Sequence, residues 1–226
     1  MKKALFWDFD GTLVYPNESF LCTLNHGLQK YGYVLPNEEL RAFLKSSCSW
    51  YLYDEVYPDS TGEGWWDMLL EKIRVFCSSR GIGPADCEKI CRYFRYHIPE
   101  KENYILYEDA KSVLEQCRQK GYVNYIISNN YPELPEIIQA FGLDDWFTDY
   151  FVSANLGYEK PRPEIFAHAL VQAGQPEICY MIGDNPVADI RGAQAAGMKT
   201  VLVHHEDHFT EDRNCLTLSE IPALLL

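Results

Sequence analysis

The sequence predicts an α/β protein, in which a parallel β-sheet with helices on both faces is joined to a small all-helical domain. From residue 108 onward, helical patterns alternate with short apolar strand-like runs, which is the order of right-handed βαβ units. Between residues 17 and 98 every patterned segment is helical, and these segments follow a single strand-like run at residues 3–7. A helical insert after the first strand indicates a second, smaller domain.

The insert contains four predicted helices. They cover residues 17–31, 37–46, 63–79 and the stretch between Pro84 and Pro99. Glycine or proline follows the first, third and fourth of these patterns, as is typical of helix ends. We therefore expect the helical domain to comprise residues 15–102 and the sheet domain to comprise residues 1–14 and 103–226.

The sheet domain is predicted from its alternating pattern. Strands are expected at residues 3–7, 122–127, 150–152, 178–182 and 200–203. Helices are expected at residues 108–120, 132–141, 162–173 and 187–196. This order predicts parallel strands whose carboxyl ends lie along one edge of the sheet.

Composition restricts the possible partners. The 226 residues include 20 Lys and Arg against 33 Asp and Glu, so the net charge of -13 argues against a nucleic-acid polymer or an anionic membrane as partner. No apolar run is long enough to span a membrane, and Asp8 and Asp10 interrupt the short apolar run near the start. Eight cysteines without C-x-x-C spacing are expected to be reduced thiols. We expect a cytoplasmic protein, a monomer or a small homo-oligomer.

Polar residues occur where the predicted strands end. Asp8 and Asp10 close the first strand, Ser128 closes the second, Lys160 follows the third after a short loop, and Asp184 closes the fourth. In a parallel sheet these groups would meet at one edge. Three neighbouring carboxylates repel one another, and a divalent cation with oxygen ligands relieves that repulsion. The sequence therefore predicts a Mg²⁺ site.

Each of these groups has a chemistry that suits a reaction at phosphorus. Asp8 can act as the nucleophile that forms an acyl phosphate. Asp10 can protonate the leaving oxygen and later take a proton from water, and Lys160 can neutralise negative charge.

The remaining site residues are expected to bind phosphate or metal. The expected phosphate-binding or substrate-binding residues are Gly11, Thr12, Ser128 and Asn129. The expected metal-binding residues are Asp8, Asp10 and Asp184, with Asp189 orienting Asp184 or a metal-bound water.

Four sequence motifs in this order resemble the signature motifs of the haloacid dehalogenase-like hydrolase superfamily. They are Asp8-Phe9-Asp10-Gly11-Thr12-Leu13, Ser128-Asn129, Lys160-Pro161, and Gly183-Asp184-Asn185-Pro186-Val187-Ala188-Asp189-Ile190 with the glycines and alanines that follow it. The resemblance implies a Rossmann-like core and a helical cap inserted between the first and second motifs. It also implies an aspartyl-phosphate mechanism and Mg²⁺ held by Asp8, the backbone carbonyl of Asp10, and Asp184.

The favoured function is a Mg²⁺-dependent phosphatase that acts on a small phosphomonoester. A phosphomutase, a phosphonate-cleaving enzyme with a cap lysine (Lys45 or Lys72), a 2-haloacid dehalogenase and a noncatalytic binder remain alternatives. Dehalogenation is the weakest, because a halide leaving group needs neither a proton from Asp10 nor a metal at Asp184.

Three groups of aromatic or histidine residues have no assigned role. Trp65 and Trp66 are adjacent on a predicted helix and cannot both face one core, so one of them is expected to face the cleft or solvent, although packing is the favoured role. A second aromatic cluster could touch substrate or brace the cap, and it comprises Trp50, Tyr51 and Tyr53. Three histidines follow the last predicted strand and are expected in a surface loop, namely His204, His205 and His208.

Overall fold

The computed structural model describes residues 2–52, 55–205 and 213–226. Six parallel strands form one sheet in this part of the chain: β1 (Lys3–Trp7), β2 (Tyr122–Ser128), β3 (Tyr150–Val152), β4 (Ile178–Gly183), β5 (Lys199–Val203) and β6 (Arg213–Cys215). Their order across the sheet is β3-β2-β1-β4-β5-β6, so β1 lies between β2 and β4. The predicted parallel sheet is confirmed. The short edge strand β6 was not predicted, because Arg-Asn-Cys carries no apolar alternation.

Ten α-helices accompany the sheet in the described residues. They are α1 (Ser19–Lys30), α2 (Asn37–Ser47), α3 (Glu63–Ser79), α4 (Pro84–His97), α5 (Ala110–Gln119), α6 (Leu134–Ala140), α7 (Ser153–Leu156), α8 (Pro163–Gln172), α9 (Gly192–Ala195) and α10 (Ile221–Leu224). Within the described ranges, no helix combines the length and apolar character that crossing a bilayer requires.

Side chains alternate across the sheet and bury both of its faces. Ala4 and Phe6 of β1 pack in one apolar cluster with residues of α8 and α9. Leu5 and Trp7 point to the opposite face and belong to a second cluster that includes residues of α5 and α10. This two-residue period is the one expected of a strand covered on both sides. The predicted helices on both faces are therefore confirmed.

The second cluster continues from the sheet into helices α1 to α4. It includes Leu24 of α1, Leu40 of α2, Ile73 of α3 and Phe94 of α4, all with little or no exposed surface. The stretch between β1 and the last of these helices contains no strand in its described part, as predicted. The exact boundaries of the domains stay a prediction.

Both paired tryptophans are buried by packing, and neither lies in solvent. Trp65 and Trp66 are both 1% exposed, although they are neighbours on α3. Trp65 packs toward Trp50, with ring centroids 6.2 Å apart, whereas Trp66 stacks on Tyr131 at 5.5 Å. The helix is thus covered on two sides, by other residues of the helical segment and by the loop after β2. Adjacent side chains can both be buried when a helix is enclosed in this way.

Candidate active site

The carboxyl ends of β1, β2 and β4 meet at one edge of the sheet. Asp8 directly follows β1, and its backbone N–H donates to the carbonyl of Ile182 in β4 at 2.9 Å. Only 8% of Asp8 is exposed. The parallel pairing predicted from the sequence therefore fixes Asp8 at the bottom of a crevice formed by strand ends.

Lys160 reaches Asp8 from the loop between α7 and α8. Its Nζ lies 2.9 Å from Oδ1 of Asp8 and 2.5 Å from Oδ1 of Asp189, and it donates to the carbonyl of Ile127 at 3.0 Å. Burial alone would lower the pKa of Lys160, but attraction to Asp189 and Asp8 outweighs burial and raises it. The ammonium group is therefore charged and held by three oxygens.

The carboxylate of Asp10 is held by two amides. Oδ2 accepts a hydrogen bond from the side chain of Asn130 at 2.6 Å, and Oδ1 accepts one from Asn17 at 3.3 Å. Desolvation, with repulsion from Asp8 second, raises the pKa of Asp10 to about 7. A carboxyl group of this kind can both give and take a proton near neutral pH.

The Asp184 carboxylate packs closely against Gly11 and Thr12. The φ angle of Gly11 is 77°, and a Cβ atom at this position would collide with the Asp184 carboxylate. The buried hydroxyl of Thr12 donates to Oδ1 of Asp184 at 3.3 Å. Desolvation and repulsion from Asp8 raise the pKa of Asp184 to about 7. Only glycine satisfies both the backbone angle and the close approach at residue 11.

Asp189 lies on a turn of π-helix, Pro186–Arg191, that precedes α9. The continuous α-helix predicted at residues 187–196 is therefore divided into these two elements. Asp189 is fully buried and binds Lys160 through Oδ1, while Oδ2 accepts from the backbone N–H of Asn185 at 3.0 Å. Its carboxylate thus ties the loop after β4 to Lys160. Single π-turns often occur at functional sites.

Ser128 and Asn129 differ in their bonding. The Oγ atom of Ser128 is buried at the end of β2 and has no hydrogen-bond partner among the described residues. The Asn129 side chain donates to the carbonyl of Lys160 at 2.9 Å and accepts from its backbone N–H at 2.7 Å. Ser128 therefore has a free hydroxyl for a ligand, whereas the Asn129 side chain is occupied in fixing the Lys160 backbone.

The carboxylates have the composition of a site for a hard cation. Oxygens of Asp8, Asp184 and Asp189 lie within 4.8 Å of one another, and the Asp10 carboxyl is close enough to Asp8 to be perturbed by it. Lys160 is the one cation in direct contact with this group in the described part of the chain. Four carboxyl groups against one ammonium leave negative charge uncompensated. The donor set therefore fits Mg²⁺.

Four polar residues that support the site were not assigned this role from the sequence. Asn17 and Asn130 bind Asp10, as described above. The ring Nε2 of His204 lies 3.0 Å from the carbonyl of Thr12, and that of His205 lies 2.8 Å from the carbonyl of Asp184. The two histidines follow β5, the strand beside β4, and this position was the signal that could have placed them near the site. His208 lies outside the described residues.

A cavity of about 480 Å³ opens above these groups. Its floor includes Asp8, Asp10 and Lys160. Residues of the helical segment line its other walls, among them Arg41, Lys45, Trp50 and Tyr51. The sequence left open whether the aromatic cluster at residues 50–53 touches substrate or braces the helical segment. Trp50 has both positions, since it lines the cavity and packs against Phe20 and Trp65. Tyr53 lies outside the described residues.

The second lysine considered for imine chemistry is bound elsewhere. The Lys72 ammonium donates to the carbonyl of Ser47 at 2.8 Å and pairs with Glu55 at 3.2 Å. It does not belong to the residues that line the described cavity. Lys45 does line the cavity, and no hydrogen bond or ion pair engages its side chain within the described ranges. Of the two lysines, only Lys45 could therefore contact a bound substrate.

Two proteins with similar sequences are phosphatases by name. The chain is 37% identical over 142 residues to a phosphoserine phosphatase of Thermus thermophilus, covering 62% of this chain and 56% of the relative. It is 38% identical over 123 residues to a glyceraldehyde 3-phosphate phosphatase of Pyrococcus furiosus, covering 51% of each protein. The matched region thus spans little more than half the length of these two relatives.

Structural comparison extends over nearly the whole chain. A HAD-hydrolase of Bacillus subtilis, YfnB, whose structure was determined bound to magnesium, superposes with a TM-score of 0.76. The match covers 99% of this chain and 98% of YfnB at 20% identity, a level that shows a shared fold. The family model for haloacid dehalogenase-like hydrolases matches residues 2–197. With that match covering most of its length, the chain belongs to the haloacid dehalogenase-like hydrolase family.

Proposed function

We propose that the protein is a Mg²⁺-dependent phosphatase that hydrolyses a small phosphomonoester through a phosphorylated Asp8. The observation that carries the proposal is the pair of carboxyl groups at the end of β1. Asp8 lies beside a charged lysine, and Asp10 has a pKa raised to about 7. A nucleophile and a proton donor are thus present at one strand end. The names of the two phosphatase relatives agree with this assignment.

In the first step a carboxylate oxygen of Asp8 attacks phosphorus, and the bond from phosphorus to the leaving oxygen breaks. Asp10 gives its proton to that leaving oxygen. Lys160 fixes the orientation of the Asp8 carboxylate and offsets the charge that accumulates on the phosphoryl oxygens. The free hydroxyl of Ser128 donates to one of those oxygens.

In the second step water attacks the phosphorus of the aspartyl phosphate. Asp10, now ionised, takes a proton from that water, and the bond between phosphorus and Asp8 breaks. Inorganic phosphate and the free Asp8 carboxylate result. The hydrogen bonds from Asn130 and Asn17 keep the Asp10 side chain in place through both of its protonation states.

Asp8, Asp184 and the backbone carbonyl of Asp10 would hold the Mg²⁺ ion. When bound, the ion neutralises the charge of the carboxylates and of the phosphoryl group. Asp189 keeps Lys160 and the Asn185 backbone in position beside these ligands. Removal of Mg²⁺ by a chelator is therefore expected to abolish turnover.

The helical segment acts as a cap that selects the leaving group. We place the cap at residues 15–102 and the catalytic core at residues 1–14 and 103–226. We expect a monomer or small homo-oligomer in the cytoplasm, and size-exclusion chromatography with light scattering would test the oligomeric state. All eight cysteines are free thiols, which agrees with a reducing compartment.

The cap wall favours a substrate with a second negative group. Lys45 and Arg41 line the cavity, and Arg41 is already paired with Glu18 at 2.5 Å. Lys45 therefore offers the uncompensated positive charge on this wall. A Lys45→Met variant is expected to lose about fivefold in kcat/KM for 4-carboxyphenyl phosphate and little for phenyl phosphate, the value of one exposed ion pair. Equal losses for both substrates would contradict this role of Lys45.

Hydrolysis of 4-nitrophenyl phosphate by the purified protein, with Mg²⁺ and with a chelator, tests the proposal. We expect Mg²⁺-dependent phosphate release, which is lost in Asp8→Asn and retained in Asp67→Asn, a change of an exposed residue on α3. Mass spectrometry after an acid quench is expected to find phosphate on the peptide that contains Asp8. An Asp8→Asn variant with full activity would refute the proposal, as would halide release from 2-haloacids without phosphatase activity.

A further inference from the structure

Glu159 is a buried carboxylate that the proposed mechanism does not use. It precedes Lys160 in the chain and has no exposed surface. Its Oε1 accepts hydrogen bonds from the hydroxyl of Ser49 and from the hydroxyl of Tyr57, both at 2.5 Å. Both donors belong to the helical segment. Burying a carboxylate is costly, so this one requires compensation by the hydroxyls that reach it.

Backbone contacts join the same two parts of the chain. The N–H of Tyr57 donates to the carbonyl of Gly157 at 3.0 Å, and the N–H of Gly62 donates to the carbonyl of Ala154 at 2.9 Å. Gly157 has a φ of 81°, and a Cβ atom there would overlap the backbone of Pro58. The segment from residue 55 to residue 62 is therefore seated directly on the loop that leads to Lys160.

Ser49 links this contact to the cavity. It is the first residue of a short 3₁₀ turn, Ser49–Tyr51, whose other two residues line the cavity wall. The hydrogen bond from Ser49 to Glu159 thus joins the start of this turn to the residue before Lys160.

Lys160 is positioned without help from the Glu159 side chain. The Asn129 side chain holds its backbone N–H and carbonyl, and three oxygens hold its Nζ. Loss of the Glu159 carboxylate would therefore displace the cavity wall and leave the catalytic lysine in place.

We propose that Glu159 is a positioning residue that anchors the Ser49–Tyr51 turn of the cap to the core and so sets the wall against which the leaving group binds. This inference rests on the proposed function insofar as the cavity is the substrate site. The anchoring contact itself is independent of the reaction. Its loss is expected to change substrate binding rather than the chemical step.

Steady-state kinetics with 4-nitrophenyl phosphate and Mg²⁺ test this role. We expect Glu159→Ala to raise KM about tenfold, the effect of losing the two buried hydrogen bonds that Glu159 accepts, with kcat changed by less than about twofold. Glu159→Gln keeps an oxygen that accepts from both hydroxyls, and it is expected to restore most of the wild-type KM. Glu164→Ala serves as the matched control, because Glu164 pairs with Arg162 and makes none of the described contacts with residues 49–62. A loss of kcat with unchanged KM would overturn the proposal.

Hydrogen exchange provides a readout that does not depend on turnover. The amides of Tyr57 and Gly62 are expected to exchange at least about tenfold faster in Glu159→Ala, with the amide of Asp8 unchanged. If Glu159→Ala does not fold, the Ser49→Ala/Tyr57→Phe double variant removes the same hydrogen bonds from the other side and is expected to give the same changes. Unchanged exchange of these amides in a folded variant would overturn the proposal that Glu159 anchors the Ser49–Tyr51 turn. A wild-type protein that hydrolyses no phosphate ester would refute the proposed function. The hydrogen-exchange result would still show whether Glu159 anchors the turn.

Discussion

Replacement of Lys160 by Met removes the ammonium group that contacts both Asp8 and Asp189. Lys160 is 1% exposed, and its Nζ lies 2.9 Å from Asp8 and 2.5 Å from Asp189. At an effective dielectric constant of 20, the attraction to Asp8 alone is about 6 kcal/mol, most of which is offset by the cost of burying the charges. Removing the lysine leaves two buried carboxylates without their positive partner, and loss of one member of a buried ion pair costs about 3–5 kcal/mol of unfolding free energy. For a protein of this size we expect the melting temperature to fall by about 10 °C.

The same substitution is expected to lower kcat about 10²–10³-fold, because a preorganised positive charge is lost where negative charge develops. Thermal unfolding followed by circular dichroism measures the first effect, and phosphate release from 4-nitrophenyl phosphate at saturating Mg²⁺ measures the second. Lys120→Met, which changes an exposed lysine after α5, is the control and should leave both values unchanged. A Lys160→Met variant with wild-type kcat and melting temperature would refute both the ion pairing and the proposed role.

Three further perturbations test separate parts of the site. Asp10→Asn is expected to lower kcat for alkyl phosphates about 10²–10⁴-fold. It is expected to lower kcat/KM for 4-nitrophenyl phosphate much less, since that leaving group departs without a proton. Equal losses of activity on the two kinds of ester would contradict leaving-group protonation. Ser128→Ala is expected to raise KM about fivefold without lowering the melting temperature, because the buried Oγ has no partner among the described residues. Saturation with Mg²⁺, at about 100 times its dissociation constant, is expected to raise the melting temperature of the wild type by about 5–10 °C, and Asp184→Asn should lose this increase.

Local patterns in the sequence were enough to predict the fold class and the approximate positions of five of the strands in the chain. The run at residues 3–7 alternates between two apolar environments, and Asp8 and Asp10 follow it directly, so a strand ending in an acidic edge could be predicted from neighbouring residues alone. Parallel pairing then brings Ser128 and Asp184 to that edge, and Lys160 reaches it from the loop after α7. These predictions required only the order of the elements, which the alternation of helices and strands determines.

Contacts between distant parts of the chain could not be predicted in the same way. Asn130 belongs to the loop after β2, yet its side chain binds Asp10, 120 positions earlier. Trp65 and Trp66 are both buried because α3 is enclosed on two sides, and the periodicity of one helix does not reveal how many neighbours cover it. Side-chain pairing and helix enclosure depend on tertiary packing, whereas hydrophobic period is a property of each segment by itself.

The residues proposed for catalysis could be predicted from local motifs, whereas the residues that would select the substrate could not. Asp8, Asp10 and Asp184 belong to short motifs at strand ends, and strand pairing determines their relative positions. Lys160 also belongs to a short motif, and Asn129, at the end of β2, holds its backbone. The cavity wall instead includes residues of the helical segment, and under the proposed role of Glu159 their placement depends on contacts between distant parts of the chain. A change in those contacts would reshape the leaving-group site without altering any catalytic residue. Proteins with the same four motifs can therefore share the reaction at phosphorus and still act on different esters.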